Sequence, residues 1–237
     1  YAASVANYRT QNRQDSSYAG ISWTVDAISG MKKLLIVTGP QGSGNHLWSK
    51  IFALHSEVCG WKDLLDTYWI GHDQEPFAHY WKYPKQLNEF DWSVSDYYVA
   101  SVSIPYMDNG TATVPNFEEF IQELRKLNIV VQVAVIGRDQ NILKEQQKRV
   151  RDGNTLSLAL AEVARFTNVD FLSYELLHLY KETYLKELAR TLSFPIDYNN
   201  PDLKEILADD TNSKYIIPVE HHWVDDLAKE ASRKKHD

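Results

Sequence analysis

The chain has 237 residues, a net charge of -7, 43% hydrophobic and 24% charged residues, and a single cysteine, Cys59. This suits one large domain or a domain with an extension, argues against a broad nucleic-acid surface, and leaves no internal disulfide, as in a reducing, cytoplasmic setting. No apolar run approaches about 18 residues, so no membrane-spanning helix is expected.

Residues 1–30 are rich in Ser, Ala, Asn, Gln and Tyr and read as an N-terminal extension or linker, a candidate contact for a partner chain. Met31 opens MKKLLIV like a natural start, so the folded domain is expected over 31–237. Leu34, Leu35, Ile36 and Val37 form a continuous apolar strand of the kind buried in a parallel sheet. A turn with Gly39, Gly42 and Gly44 follows, and from His46 the apolar positions Leu47, Trp48, Ile51, Phe52 and Leu54 suit an amphipathic helix. Strand, glycine turn and helix N-terminus together form a phosphate-binding geometry, because free N–H groups and the helix dipole favour negative charge. Gly39 and Gly44 keep the Walker A separation, but Asn45 and His46 stand where lysine and the magnesium-binding hydroxyl belong. The turn therefore reads as a phosphate cradle of unusual chemistry or as a tight structural turn.

The stretch from Thr67 to Pro84 is dense in aromatics and contains His72, Asp73, Glu75 and His79. It reads either as a substrate wall or as an irregular cover packed by its own rings. Asp96–Pro105 is a second strand candidate, Asn116–Leu127 a capped surface helix, and Ile129–Ile136 a buried strand, an order that implies a parallel crossover. Arg138 then lies at the carboxyl end of a buried strand, where open α/β sheets bind ligands. Its fork suits a phosphate, and an ion pair with Asp139 or Glu175 is the plain structural alternative. Helices are expected over Asn141–Arg151, carrying Lys144, Lys148, Arg149 and Arg151, over Thr155–Phe166 and over Glu182–Leu192. A short strand, Val169–Ser173, separates the last two, and a short acidic helix follows Asp202. The expected fold is α/β, three-layered, with a mainly parallel sheet, and P-loop NTPase-like.

Three motifs in this order resemble those of the P-loop sulfotransferases. Pro40-Gln41-Gly42-Ser43-Gly44-Asn45 resembles the loop that binds the 5′-phosphosulfate; Arg138 is similar to the arginine that holds the 3′-phosphate, with Gln146 near the position of its serine partner. Ser173-Tyr174-Glu175-Leu176-Leu177 resembles a recurrent strand end. The resemblance implies sulfuryl transfer from 3′-phosphoadenosine 5′-phosphosulfate to a hydroxyl or amine acceptor. The nucleotide would contact Gly39, Gln41, Gly42, Ser43, Gly44, Asn45, His46, Arg138 and Gln146. The chain departs from the family where Gln41 or Gly42 replaces the basic loop residue, and Asn212-Ser213-Lys214 stands roughly where an Arg-Lys-Gly loop contacts the nucleotide.

Transfer needs a base within reach of the acceptor hydroxyl, and His72, Asp73, Glu75 and His46 are the candidates. Glu220-His221-His222 with His72 and Asp73 fits no zinc spacing, so no metal site is expected. Two other functions remain open: a degenerate P-loop domain acting as a non-catalytic binding or structural subunit, and a nucleotide or nucleoside kinase.

Overall fold

A computed structural model describes residues 31–60, 74–151, 155–210, 212–216 and 224–229. The N-terminal 30 residues, His72, Asp73 and Glu220-His221-His222 lie outside the described residues.

The apolar run at the start of the domain forms β1 (Lys33–Pro40), buried along its whole length. It pairs in parallel with β3 (Tyr97–Ile104) on one side, Lys33 opposite Tyr97 and Pro40 opposite Ile104, and with β6 (Val130–Gly137) on the other. The two-residue β2 (Val58–Cys59) and β7 (Asp170–Ser173) complete a five-stranded parallel sheet in the order β2-β3-β1-β6-β7. Successive side chains of a strand alternate between faces, and here both faces are covered. Leu35 and Val37 pack against α1 (Asn45–Ala53), α6 (Tyr174–Leu192) and α7 (Pro201–Ala208). Leu34 and Ile36 pack against α2 (Ala78–Lys82), the 3-10 helix Pro84–Glu89, α3 (Phe117–Lys126) and α5 (Leu156–Val163). The protein is thus a three-layer α/β fold with a mainly parallel sheet. Among the described residues no helix is long and apolar enough to cross a membrane.

The helix ends follow local chemistry. The Asn116 side chain accepts from the Glu119 N–H and donates Nδ2 to Glu119 Oε2, capping α3 reciprocally. Asp139 Oδ1 accepts from the N–H groups of Asn141 and Ile142 and so starts α4 (Gln140–Arg151). Lys33 is buried, and its Nζ donates to the carbonyls of Leu192 and Ser193 at the end of α6, where a cation suits the dipole.

Several elements depart from expectation: β2, α2 and the 3-10 helix Pro84–Glu89 stand where the sequence predicts no strand or helix, and two further departures have clear local causes. Asn109 and Gly110, both at positive φ, turn β4 (Tyr106–Asp108) into β5 (Thr111–Thr113), a small antiparallel hairpin. It lies where apolar patterning alone reads as a connection, and the Asn-Gly pair is the signal that identifies it. Helix α6 begins at Tyr174 rather than at Glu182, because Ser173 Oγ accepts from Leu176 N–H and caps it there. The helix breaks once, at Lys181, whose φ of 46° and ψ of -122° are not helical.

The connections matter for the site. From β1 the chain runs toward β2 at one edge of the sheet, and from β6 toward β7 at the other. Their carboxyl ends therefore lie at the topological switch point, the place where open α/β sheets accommodate ligands.

Candidate functional site

The glycine turn and Arg138 meet at this point, in direct hydrogen-bond contact. The turn is held from outside by its carbonyls: Pro40 O accepts from Ser43 N–H, Gln41 O from Gln147 Nε2 at 2.6 Å, and Gly42 O from Arg138 Nη1 at 2.6 Å. Gly42 at φ 83° takes the left-handed conformation that this path requires. A Cβ there would stand 3.0 Å from Gln146 Cδ. At Gly39 the constraint is space, since a Cβ would meet Ser43 Oγ at 2.7 Å and the Ile136 carbonyl at 3.1 Å. Gly42→Ala is expected to lower stability by about 1–2 kcal/mol, the cost of a left-handed residue with a Cβ, read by urea denaturation. A loss below about 0.5 kcal/mol would mean that the turn is not held in this conformation.

Gln41, Ser43 and Asn45 are buried within the turn, and Ser43 Oγ donates to Asn45 Oδ1 at 3.0 Å. Gly44 is the N-cap of α1 and supplies no side-chain cap, so nothing from a side chain closes the first turn of the helix. Asn45 Nδ2 is buried and has no hydrogen-bond partner among the described residues. A buried donor left unpaired at an uncapped helix N-terminus leaves this end polarised toward an anion.

His46, on that first turn, meets Glu75 from the aromatic stretch: His46 Nε2 lies 2.9 Å from Glu75 Oε1. The carboxylate side chain is 7% exposed and the imidazole 25% exposed, so the pair is shielded but the ring edge is open to solvent. Two of the four candidate bases are thus brought together across 29 residues of sequence. His72 and Asp73 directly precede the described part of this stretch.

Arg138 is half-buried and engaged on every side. Its Nε and Nη2 donate to Asn212 Oδ1 at 2.9 and 2.6 Å, and Nη1 also donates to Gln146 Oε1. The guanidinium lies 4.6 Å from the Tyr174 ring centroid and 5.7 Å from that of Tyr215. No carboxylate forms an ion pair with it among the described residues. Asp139 caps α4 instead, and Glu175 accepts from Asp139 N–H at 2.8 Å. Burial lowers the guanidinium pKa, and the nearby Tyr174, Tyr215, Glu175 and Asp210 oppose that shift. An arginine stays charged through such shifts, so Arg138 is a cation whose carboxylate neighbours, Glu175 and Asp210, act on it without bonding to it among the described residues. Arg149 Nη2 donates to the Tyr215 hydroxyl at 3.0 Å, and Lys214 Nζ lies 5.4 Å from the same ring.

Gln147 is the residue that sequence reasoning missed most completely. Its amide donates to Gln41 O and accepts from Thr155 N–H at 3.0 Å, joining the turn to the start of α5. No periodicity signals such a strut, because it looks like one more polar residue of a charged helix. Tyr215 was equally hidden, since its partners Arg138 and Arg149 lie far away in sequence. Among the described residues no group of three His, Cys, Asp or Glu side chains is arranged to hold a metal. The sequence matches none of the models of known protein families, and no curated protein is significantly similar to it.

Proposed function

We propose that this protein is a P-loop-like sulfotransferase that moves a sulfuryl group from 3′-phosphoadenosine 5′-phosphosulfate to a hydroxyl or amine acceptor. The observation that carries the reading is the His46–Glu75 pair, 2.9 Å apart, on the first turn of an uncapped helix that follows the glycine turn. The turn and the α1 N-terminus receive the phosphosulfate, and Arg138 with Gln146 receives the 3′-phosphate. Glu75 accepts from Nε2–H and orients the imidazole, leaving Nδ1 as the base. His46 takes the proton from the acceptor hydroxyl as its oxygen bonds to sulfur. The bond from sulfur to the bridging phosphate oxygen breaks, and adenosine 3′,5′-bisphosphate leaves. Amides of the turn and the helix dipole then stabilise the charge that develops on the leaving oxygen, the role a lysine would otherwise take.

Titration calorimetry with adenosine 3′,5′-bisphosphate tests the binding half, and the absence of heat at millimolar ligand would sink it. For the chemical half, His46→Ala is expected to lower turnover by about 10²–10⁴, the contribution of a positioned base. Nucleotide affinity should change little, because the backbone amide remains. Equal losses in turnover and affinity would assign His46 to binding instead.

A second reading is a non-catalytic binding domain. The engagement of the turn's carbonyls by Arg138 and Gln147 favours it, because a turn satisfied in this way is stable without a ligand. Nucleotide binding with no transfer to any hydroxyl or amine tested would select this reading.

A further inference from the structure

Arg138 is a cation whose four described hydrogen bonds all end on neutral oxygens: twice on Asn212 Oδ1, once on Gly42 O and once on Gln146 Oε1. Gly42 belongs to the glycine turn and Gln146 to α4. Asn212 comes from elsewhere, beyond α7, and reaches 74 residues back along the chain to fill the remaining face of the guanidinium. The segment 212–216 turns on itself through Tyr215 N–H to Asn212 O at 2.8 Å, while Asn212 N–H is held by Asp210 Oδ1 at 2.9 Å. Among the described residues, its side chains reach the rest of the fold by hydrogen bonds only through Arg138 and Arg149. The strap therefore rests on the two arginines that an anion would seek.

A phosphate adds to the hydrogen bonds of a guanidinium what the neutral Asn212 oxygen cannot supply, the attraction of a full negative charge and two oxygens that match the fork bidentately. An arriving phosphate group thus outcompetes the Asn212 amide oxygen for the same two N–H groups. Arg149 and Lys214, both exposed beside Tyr215, add to the attraction. We infer that Asn212 is a displaceable latch: it competes with phosphate for Arg138, and the phosphate of a bound nucleotide expels it and releases the strap 212–216. This rests on the reading of the glycine turn and Arg138 as a nucleotide site, and it adds that the protein's own amide competes for that site.

Calorimetry of the wild type, Asn212→Ala and Asn212→Asp separates the alternatives, with adenosine 3′,5′-bisphosphate, adenosine and inorganic phosphate as probes. Removing the competitor is expected to tighten bisphosphate binding by about tenfold, the factor carried by one hydrogen bond to a charged donor. Supplying a carboxylate as a permanent partner for Arg138 is expected to weaken it by at least as much. Adenosine should show neither effect. Inorganic phosphate should show both, because the latch competes for the phosphate group and not for the base. A purely structural Asn212 would make both variants bind more weakly or alike, and that result overturns the latch while leaving the nucleotide reading intact. No bisphosphate binding by any of the three proteins would overturn both. Hydrogen exchange on the wild type gives a check independent of variant folding: amides of 212–216 should exchange faster with bisphosphate bound, and unchanged or slower exchange also rejects the latch.

Discussion

Arg138→Met should lower the unfolding free energy by about 2–3 kcal/mol, the range for hydrogen bonds to a charged group lost from a partly buried site. For a chain of this length that is on the order of 5–10 °C in Tm. The loss follows from what remains behind: Gly42 O and the side-chain oxygens of Gln146 and Asn212 each lose a donor. Relief from holding a partly buried cation offsets part of it, and without that offset the figure would be larger. Arg138→Lys tests the geometry separately. An ammonium keeps the charge but not the fork that bonds Gly42 and Asn212 at once, so it should recover less than half of the loss. Differential scanning calorimetry decides the matter, and a methionine variant within about 0.5 kcal/mol of wild type would show that the turn stands without its brace.

Trp48→Ala carries the largest expected stability loss, about 3–5 kcal/mol for a buried aromatic truncated in a core. Trp48 is fully buried, stacks on Phe52 at 6.3 Å and meets the edge of Tyr184 at 6.2 Å, joining α1 to α6. Its indole Nε1 has no hydrogen-bond partner among the described residues. Trp48→Phe therefore removes a buried unsatisfied donor along with some volume. The two effects oppose each other, so this variant should lie within about 1.5 kcal/mol of wild type. Urea denaturation of both variants measures the contrast. A phenylalanine as damaging as alanine would mean that the indole N–H is satisfied in solution.

The sequence made the centre of the fold legible because that centre is written in contiguous residues. Leu34–Val37 and Ile129–Ile136 are apolar runs with no polar alternation, the mark of strands covered on both faces. The α3 segment carries its cap, its acids and its bases in one stretch of sequence. The edges were less legible. Two residues suffice for β2, too few for any pattern, and the start of α6 was hidden because the non-helical Lys181 divides one helix into two apparent pieces. The glycine turn and Arg138 were readable one at a time, as strand ends with telling residue types. Their mutual bond was not, since Gly42 and Arg138 are 96 residues apart and only the parallel pairing of β1 with β6 brings them together. The same holds for His46 and Glu75, whose residue types indicate proton chemistry but whose spacing in sequence carries no period.

Gln147 sets a rule for how this protein tolerates changes in length. One side-chain amide touches the glycine turn with its nitrogen and α5 with its oxygen, so α4 is indexed to both like a key cut to a single depth. Adding one residue between Asp139 and Gln146 would turn the rest of α4 by about 100° and carry that amide away from both partners. Adding about four would restore its direction but displace it by about 6 Å along the axis. Drift in length is therefore barred from α4, whereas the Asn109-Gly110 turn, where a Cβ on Gly110 would touch nothing within 4 Å, is open to it.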